Sequence, residues 1–324
     1  MRHDGSIGGL EIARLQAVLC QTVRTIETAN ELATFQSFWH GGPLTPYEAA
    51  CLASFVRKGH EFHLYTYHGD LEVPAGVKRC DAARILPPER YFTYGEEARE
   101  GAGSPAAFAN LFRYKLLAES GGWWVDTDVF LVGDTVPDGE VFAAFQESGL
   151  ANSAVLRLPA GHPAAIDALR RCEEIGRGSR WGETGPKLVT ALFERHGLMA
   201  DVAPMMTAYP VHYTEALDLM RPTRTAVLRE RVRGATFLHL WNEIFRRQKL
   251  DKTLRPPEDS LLRELFDSVG ATGWRGECPR NLFDEHANDG AIRIPGRTRR
   301  QRRIIVTLLS LFGIAATVNS TSGK

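Results

Sequence analysis

Phe108–Val132 reads FANLFRYKLLAESGGWWVDTDVFLV, and the fold turns on how this stretch is read. Ala106–Glu119 has helical spacing, and Gly121-Gly122 supplies the left-handed turn that stops a helix. Trp123–Val132 is aromatic and β-branched, which predicts a strand. Side chains alternate along a strand, so Trp124, Asp126, Asp128 and Phe130 are expected on one face and Trp123 on the other. Two carboxylates on one face at a strand end make a hard-cation site with room for a ligand's oxygens. On the helix, Asn110 and Arg113 lie three apart and share a face. An arginine near an acidic metal site points to an anionic substrate bound through that metal. The competing reading of Arg113 is a surface ion pair with Glu97 or Glu119.

Upstream, Thr34–Trp39 predicts a strand, a Gly-Gly-Pro turn follows, and Tyr47–Lys58 predicts a helix. Gly59 and a strand over Glu61–Tyr67 complete the strand–helix–strand grammar of a parallel, helix-covered sheet. Arg79-Cys80-Asp81 marks a third strand. Downstream, strands are expected over Glu140–Gln146 and Ser153–Leu158, and helices over Pro163–Glu174, Lys187–His196 and Leu261–Val269. Phe237–Trp241 reads as a short helix or strand. The fold class is therefore α/β, a single domain over 32–290 with a mostly parallel central sheet flanked by helices. Residues 1–31 carry an amphipathic helical pattern over Leu10–Glu31.

Residues 291–324 form a tail in which Arg297, Arg299, Arg300, Arg302 and Arg303 precede apolar Ile304–Val318. As a helix that segment would be roughly 22 Å long, short of the ~30 Å hydrocarbon core. It suits either an anionic membrane surface or docking on the protein's own core.

Composition narrows the function classes. Lys+Arg equals Asp+Glu at 39 each over 324 residues, so no global field recruits nucleic acid. The five cysteines are scattered without a CxxC pair, which argues against a zinc ribbon and for a reduced compartment. The first residues lack an apolar core with a cleavage site, so a cytoplasmic location is expected, with peripheral contact on the inner face of the plasma membrane through the tail.

Asn110, Arg113, Gly121-Gly122, Trp124 and Asp126-Thr127-Asp128 stand in the order and spacing of a known signature. The run resembles that of the DXD sugar-nucleotide glycosyltransferases of the GT-A (Rossmann-like) fold. More narrowly it is similar to the group of the α-1,4-galactosyltransferases and initiating α-1,6-mannosyltransferases, and distantly to the large glucosylating toxins. One departure is Asn110, where many relatives have Asp; it can accept a hydrogen bond but brings no charge. The resemblance extends from about Phe35 to Val132 and thins beyond.

It implies a retaining, Mn2+- or Mg2+-dependent transferase that takes a UDP-sugar donor and a glycan or lipid-linked glycan acceptor in surface polysaccharide synthesis. By resemblance Asp126 meets the ribose and donor sugar, Asp128 ligates the metal, and Arg113 and Asn110 face the donor. Phe38 and Trp39, in FWHGG, match the aromatic first strand whose tryptophan packs on uracil. Trp124 covers ribose or base. His239, in FLHLWNE, is the third metal-ligand candidate, with Trp241 and Asn242 lining the pocket; a structural histidine is the alternative. Gly185 and Pro186, in ETGPKLVT, match a turn and helix start near the active site, which a Pro at a first helical turn explains equally well. His40, His60, His63 and His68 have no ligand-like spacing. Two rival readings use the same carboxylates: a toxin-like protein glycosyltransferase and a metal-dependent phosphohydrolase.

Overall fold

The computed structural model describes residues 32–96, 101–147 and 149–280. The expected N-terminal helix and the basic–apolar tail lie outside these residues, as do both domain boundaries, at 31/32 and 290/291.

Four parallel strands form one side of the central sheet: β1 (Thr34–Trp39), β2 (Glu61–Thr66), β3 (Val77–Asp81) and β4 (Gly122–Val125). The other side holds β6 (Phe142–Glu147), β7 (Leu150–Leu158) and β8 (Val202–Ala203). The order is β3-β2-β1-β4-β7-β6-β8, and only β7 runs against the rest. A mostly parallel sheet is the expected arrangement: helices cover the crossovers from β1 to β2 and from β3 to β4, while β2 reaches β3 through a helix-free loop over residues 67–76.

β1 shows why helices cover both faces. Phe35 and Phe38, three apart on a strand, point to opposite sides. Phe35 is fully buried and packs 4.6 Å from Phe55 of the helix Pro46–Arg57. Phe38 stacks 4.5 Å from Phe112 of the helix Ala106–Ser120. Burying each such ring stabilises the fold by about 1.5–3 kcal/mol. The helix Ala106–Ser120 ends at Gly121, whose φ is +64° and whose N–H donates to the Leu117 carbonyl at 3.0 Å. A Cβ there would lie 2.3 Å from the Ala160 nitrogen, so glycine is required for space as well as for conformation.

The strand expected through Trp123–Val132 is broken. β4 stops at Val125, residues 126–128 make a turn closed by the Val129 N–H to the Asp126 carbonyl at 3.0 Å, and β5 (Val129–Leu131) leaves the main sheet. β5 pairs antiparallel with β9 (Phe237–His239), which resolves the Phe237–Trp241 segment as a strand. The register sets Val129 opposite His239, and the Leu240 N–H to Asp128 carbonyl bond at 2.9 Å extends the ribbon. The helices expected after Pro163, Lys187 and Leu261 lie at Pro163–Ile175, Pro186–Arg195 and Leu261–Ser268. No helix among the described residues is long and apolar enough to cross a membrane. Cys51, Cys80, Cys172 and Cys278 are free thiols.

Candidate functional site

A cleft of about 1030 Å³ opens at the C-terminal ends of β1 and β4 and contains every site residue singled out in the sequence. The end of a parallel strand beside a sheet reversal is where α/β folds bind ligands. Its floor is built from two arms, one per aspartate.

The first arm holds Asp126. Arg113, only 2% exposed, lies in the helix Ala106–Ser120 and bonds both Asn110 Oδ1 and Asp126 Oδ1. The Trp124 indole N–H donates to the same Asp126 oxygen at 2.7 Å, and the guanidinium lies 4.9 Å from the Trp124 ring. Asp126 therefore has its carboxylate fixed by a planar cation and an indole, while 30% of its side chain remains open to the cleft. Asn110 donates from Nδ2 to Thr184 Oγ1 at 3.1 Å, so both ends of its amide are bonded within the protein. Of the two surface glutamates that offered an alternative partner, Glu119 pairs instead with Lys115 at 2.5 Å, and Glu97 lies outside the described residues. Burial opposes the charge on Arg113, but Asp126 and Tyr114 more than compensate and raise its pKa.

The second arm holds Asp128, which is 9% exposed. His239 Nε2 lies 3.2 Å from Asp128 Oδ2, and the Asn242 backbone N–H donates to that oxygen at 2.7 Å. Burial pushes the Asp128 pKa up, but the His239 charge and hydrogen bond, the Asn242 N–H and the Lys252 charge outweigh it and hold the carboxyl at about 2. For His239 burial works downward, yet Asp128 raises it above the ordinary imidazole value. The Asn242 N–H reaches Asp128 because Trp241 adopts a left-handed conformation, φ 60° and ψ 52°, at the start of the helix Asn242–Arg247. The Trp241 ring is anchored by its N–H to the Val211 carbonyl at 2.8 Å and packs 4.2 Å from His239.

Asp126, Asp128 and His239 thus present ligand atoms within 4.8 Å of one another. Two carboxylates and an imidazole form a donor set that fits a divalent cation. His239 Nδ1 is buried with no hydrogen-bond partner among the described residues.

The remaining residues divide by exposure. Trp39 is half-buried on the cleft wall, its N–H donating to the Gly42 carbonyl at 2.9 Å. Phe38 and Trp124 touch the cleft but are 7% and 1% exposed, and both belong to the apolar core. Trp123 faces the other side and packs 5.5 Å from Phe35, as alternation requires. Gly185 precedes the helix Pro186–Arg195, and a Cβ there would meet Asn110 Nδ2 and Ser153 Oγ at 3.5 Å.

Sequence reasoning passed over Glu48, Trp181 and Lys252, all of which line the cleft. Glu48 and Thr45 carry a capping-box signal, but that pattern marks a helix start and says nothing of a site. His40, set aside on spacing, also lines the cleft, stacked 4.9 Å from His68.

No family model matches the sequence, and no curated protein matches it. Among solved structures, the chain is similar to the PaToxG glycosyltransferase at 14% identity and a TM-score of 0.38, over 57% of this chain and 78% of that one. It is also similar to the glycosyltransferase GlyE in Streptococcus pneumoniae TIGR4, at 13% identity and a TM-score of 0.39. That match covers 76% of this chain and 62% of GlyE. At such scores the fold rests on the strand order and the site on its own geometry.

Proposed function

We propose that this protein is a metal-dependent glycosyltransferase of the GT-A type that moves one sugar from a UDP-sugar to a hydroxyl of a glycan or lipid-linked glycan, with retention at the anomeric carbon. The observation that carries the reading is the convergence of Asp126, Asp128 and His239 on one point of a large cleft, with Arg113 and Trp124 fixing Asp126. Asp126, Asp128 and His239 would hold the cation; when bound, Mn2+ or Mg2+ supplies a Lewis acid that neutralises the departing diphosphate.

The chain's own residues do the positioning. Arg113 keeps the Asp126 carboxylate aimed into the cleft, the Asn242 N–H does the same for Asp128, and Trp39 offers a partly open indole face to the base. In the reaction proposed, the bond from the sugar to the diphosphate breaks as the acceptor oxygen bonds on the same face. The acceptor proton leaves with the phosphate. The work left to the protein is orientation and charge stabilisation. We propose further that the enzyme works in the cytoplasm, and that the basic–apolar sequence of residues 291–324 serves either contact with the inner face of the plasma membrane or docking on the protein's own core.

The test is release of nucleoside diphosphate from a panel of nucleotide sugars by the purified chain with Mn2+, with and without EDTA. Slow, EDTA-sensitive release from one or two UDP-sugars is expected. Equal cleavage of nucleotides with and without a sugar would replace this reading by a phosphohydrolase.

A further inference from the structure

Glu48 is 0% exposed, yet it belongs to the cleft and has four donors around it. Its two oxygens serve different parts of the molecule. Oε2 accepts from the Thr45 backbone N–H at 3.2 Å and from the Thr45 hydroxyl, which closes the capping box of the helix Pro46–Arg57. Oε1 accepts from Asn242 Nδ2 at 2.6 Å and from the Lys252 ammonium. Lys252 Nζ in turn donates to Asn242 Oδ1 at 3.2 Å. Three side chains close a ring that grips both ends of the Asn242 amide, and the Asn242 backbone N–H is the group bonded to Asp128.

A capping glutamate needs neither full burial nor a lysine 204 residues further on. Burying a carboxylate is costly unless it is paired and fully hydrogen-bonded, and here both oxygens are. The first oxygen is explained by the helix. The second is explained only by what the ring holds in place.

We propose that Glu48 is a positioning residue for Asp128: with Asn242 and Lys252 it forms a clamp that fixes the backbone N–H orienting the Asp128 carboxylate toward a bound cation. The clamp rests on the metal-dependent reading above, and groups that orient a ligating carboxylate typically govern metal affinity. It ties the first helix of the sheet to the segment after β9, so the ligand set is held from two distant stretches of chain.

The experiment is the Mn2+ dissociation constant of the purified full chain without donor, read from the paramagnetic resonance signal of free Mn2+. Thermal melting by circular dichroism runs in parallel. Glu48→Gln, Asn242→Ala and Lys252→Met are each expected to weaken Mn2+ binding about tenfold or more. Lys252 is 20% exposed, so its variant keeps the test open should Glu48→Gln fold poorly. Thr45→Ala, which breaks only the cap, is expected to lower the melting temperature and leave the Mn2+ constant as in the wild type. Wild-type Mn2+ affinity in folded Glu48→Gln or Lys252→Met protein overturns the clamp. So does a Thr45→Ala variant that loses as much affinity as Glu48→Gln, since the carboxylate would then be a cap and nothing more. A wild-type chain that binds no Mn2+ overturns the metal reading itself and the clamp with it.

Discussion

The two aspartates of one short turn are held by different kinds of neighbourhood. Asp126 is gripped by residues close in sequence, Arg113 thirteen positions before it and Trp124 two, and all three are seated on the main sheet and its covering helix. Asp128 is gripped by Asn242, 114 positions away, and by His239 on a ribbon of two three-residue strands. The first arm is a local, well-buried unit; the second exists only once distant pieces of chain have met. Under the proposed function both arms would meet at one cation, and the Asp128 arm, assembled from distant pieces of chain, would be the one whose loss costs the cation most.

The largest effect expected from that asymmetry is in turnover. Asp128→Ala should lower UDP-sugar turnover by at least about 10³-fold while the protein still melts cooperatively, because a charge-stabilising group of this kind acts on the transition state. Steady-state rates at saturating Mn2+ that stay within tenfold of wild type would remove the distinction between the arms. Next comes stability. Arg113→Met should cost about 2–3 kcal/mol in urea unfolding, below the figure for a fully buried pair because water can reach Asp126. It should exceed the cost of Asp128→Ala; the reverse order would make the ribbon, not the helix, the mechanical anchor. The smallest effect is at the cleft wall. Trp39→Ala should raise the donor KM roughly tenfold and leave kcat within about twofold, the scale of one base stacked on an aromatic ring. A fall in kcat alone would take Trp39 out of donor binding.

The local arm was the legible one. Helical spacing, a glycine stop and an aromatic strand announced the Asn110–Val125 unit, and the strand–helix–strand grammar of residues 34–67 announced the parallel half of the sheet. The break at Asp126-Thr127-Asp128 was hidden because Val125, Val129 and Phe130 on either side are all good strand residues. The turn is set by a change of pairing partner, from β7 to β9, which residue preference does not encode. His239 could be picked out from FLHLWNE, but Glu48 and Lys252 could not. Their contacts span 194 and 204 residues, and a glutamate three positions after a threonine at a helix start reads as a cap.

The left-handed tryptophan at position 241 has a consequence for how firmly Asp128 is held. For a bulky L-residue that backbone conformation is disfavoured by about 1–2 kcal/mol, so a chain still searching for its fold rarely visits it. It becomes the stable choice once the indole is packed against Tyr209, Tyr213 and His239 and its N–H has found Val211. Only then does the next N–H face Asp128. The grip on Asp128 is therefore only as good as the aromatic packing around position 241, and a substitution that loosens that packing would release the Asn242 N–H from the carboxylate without touching either aspartate.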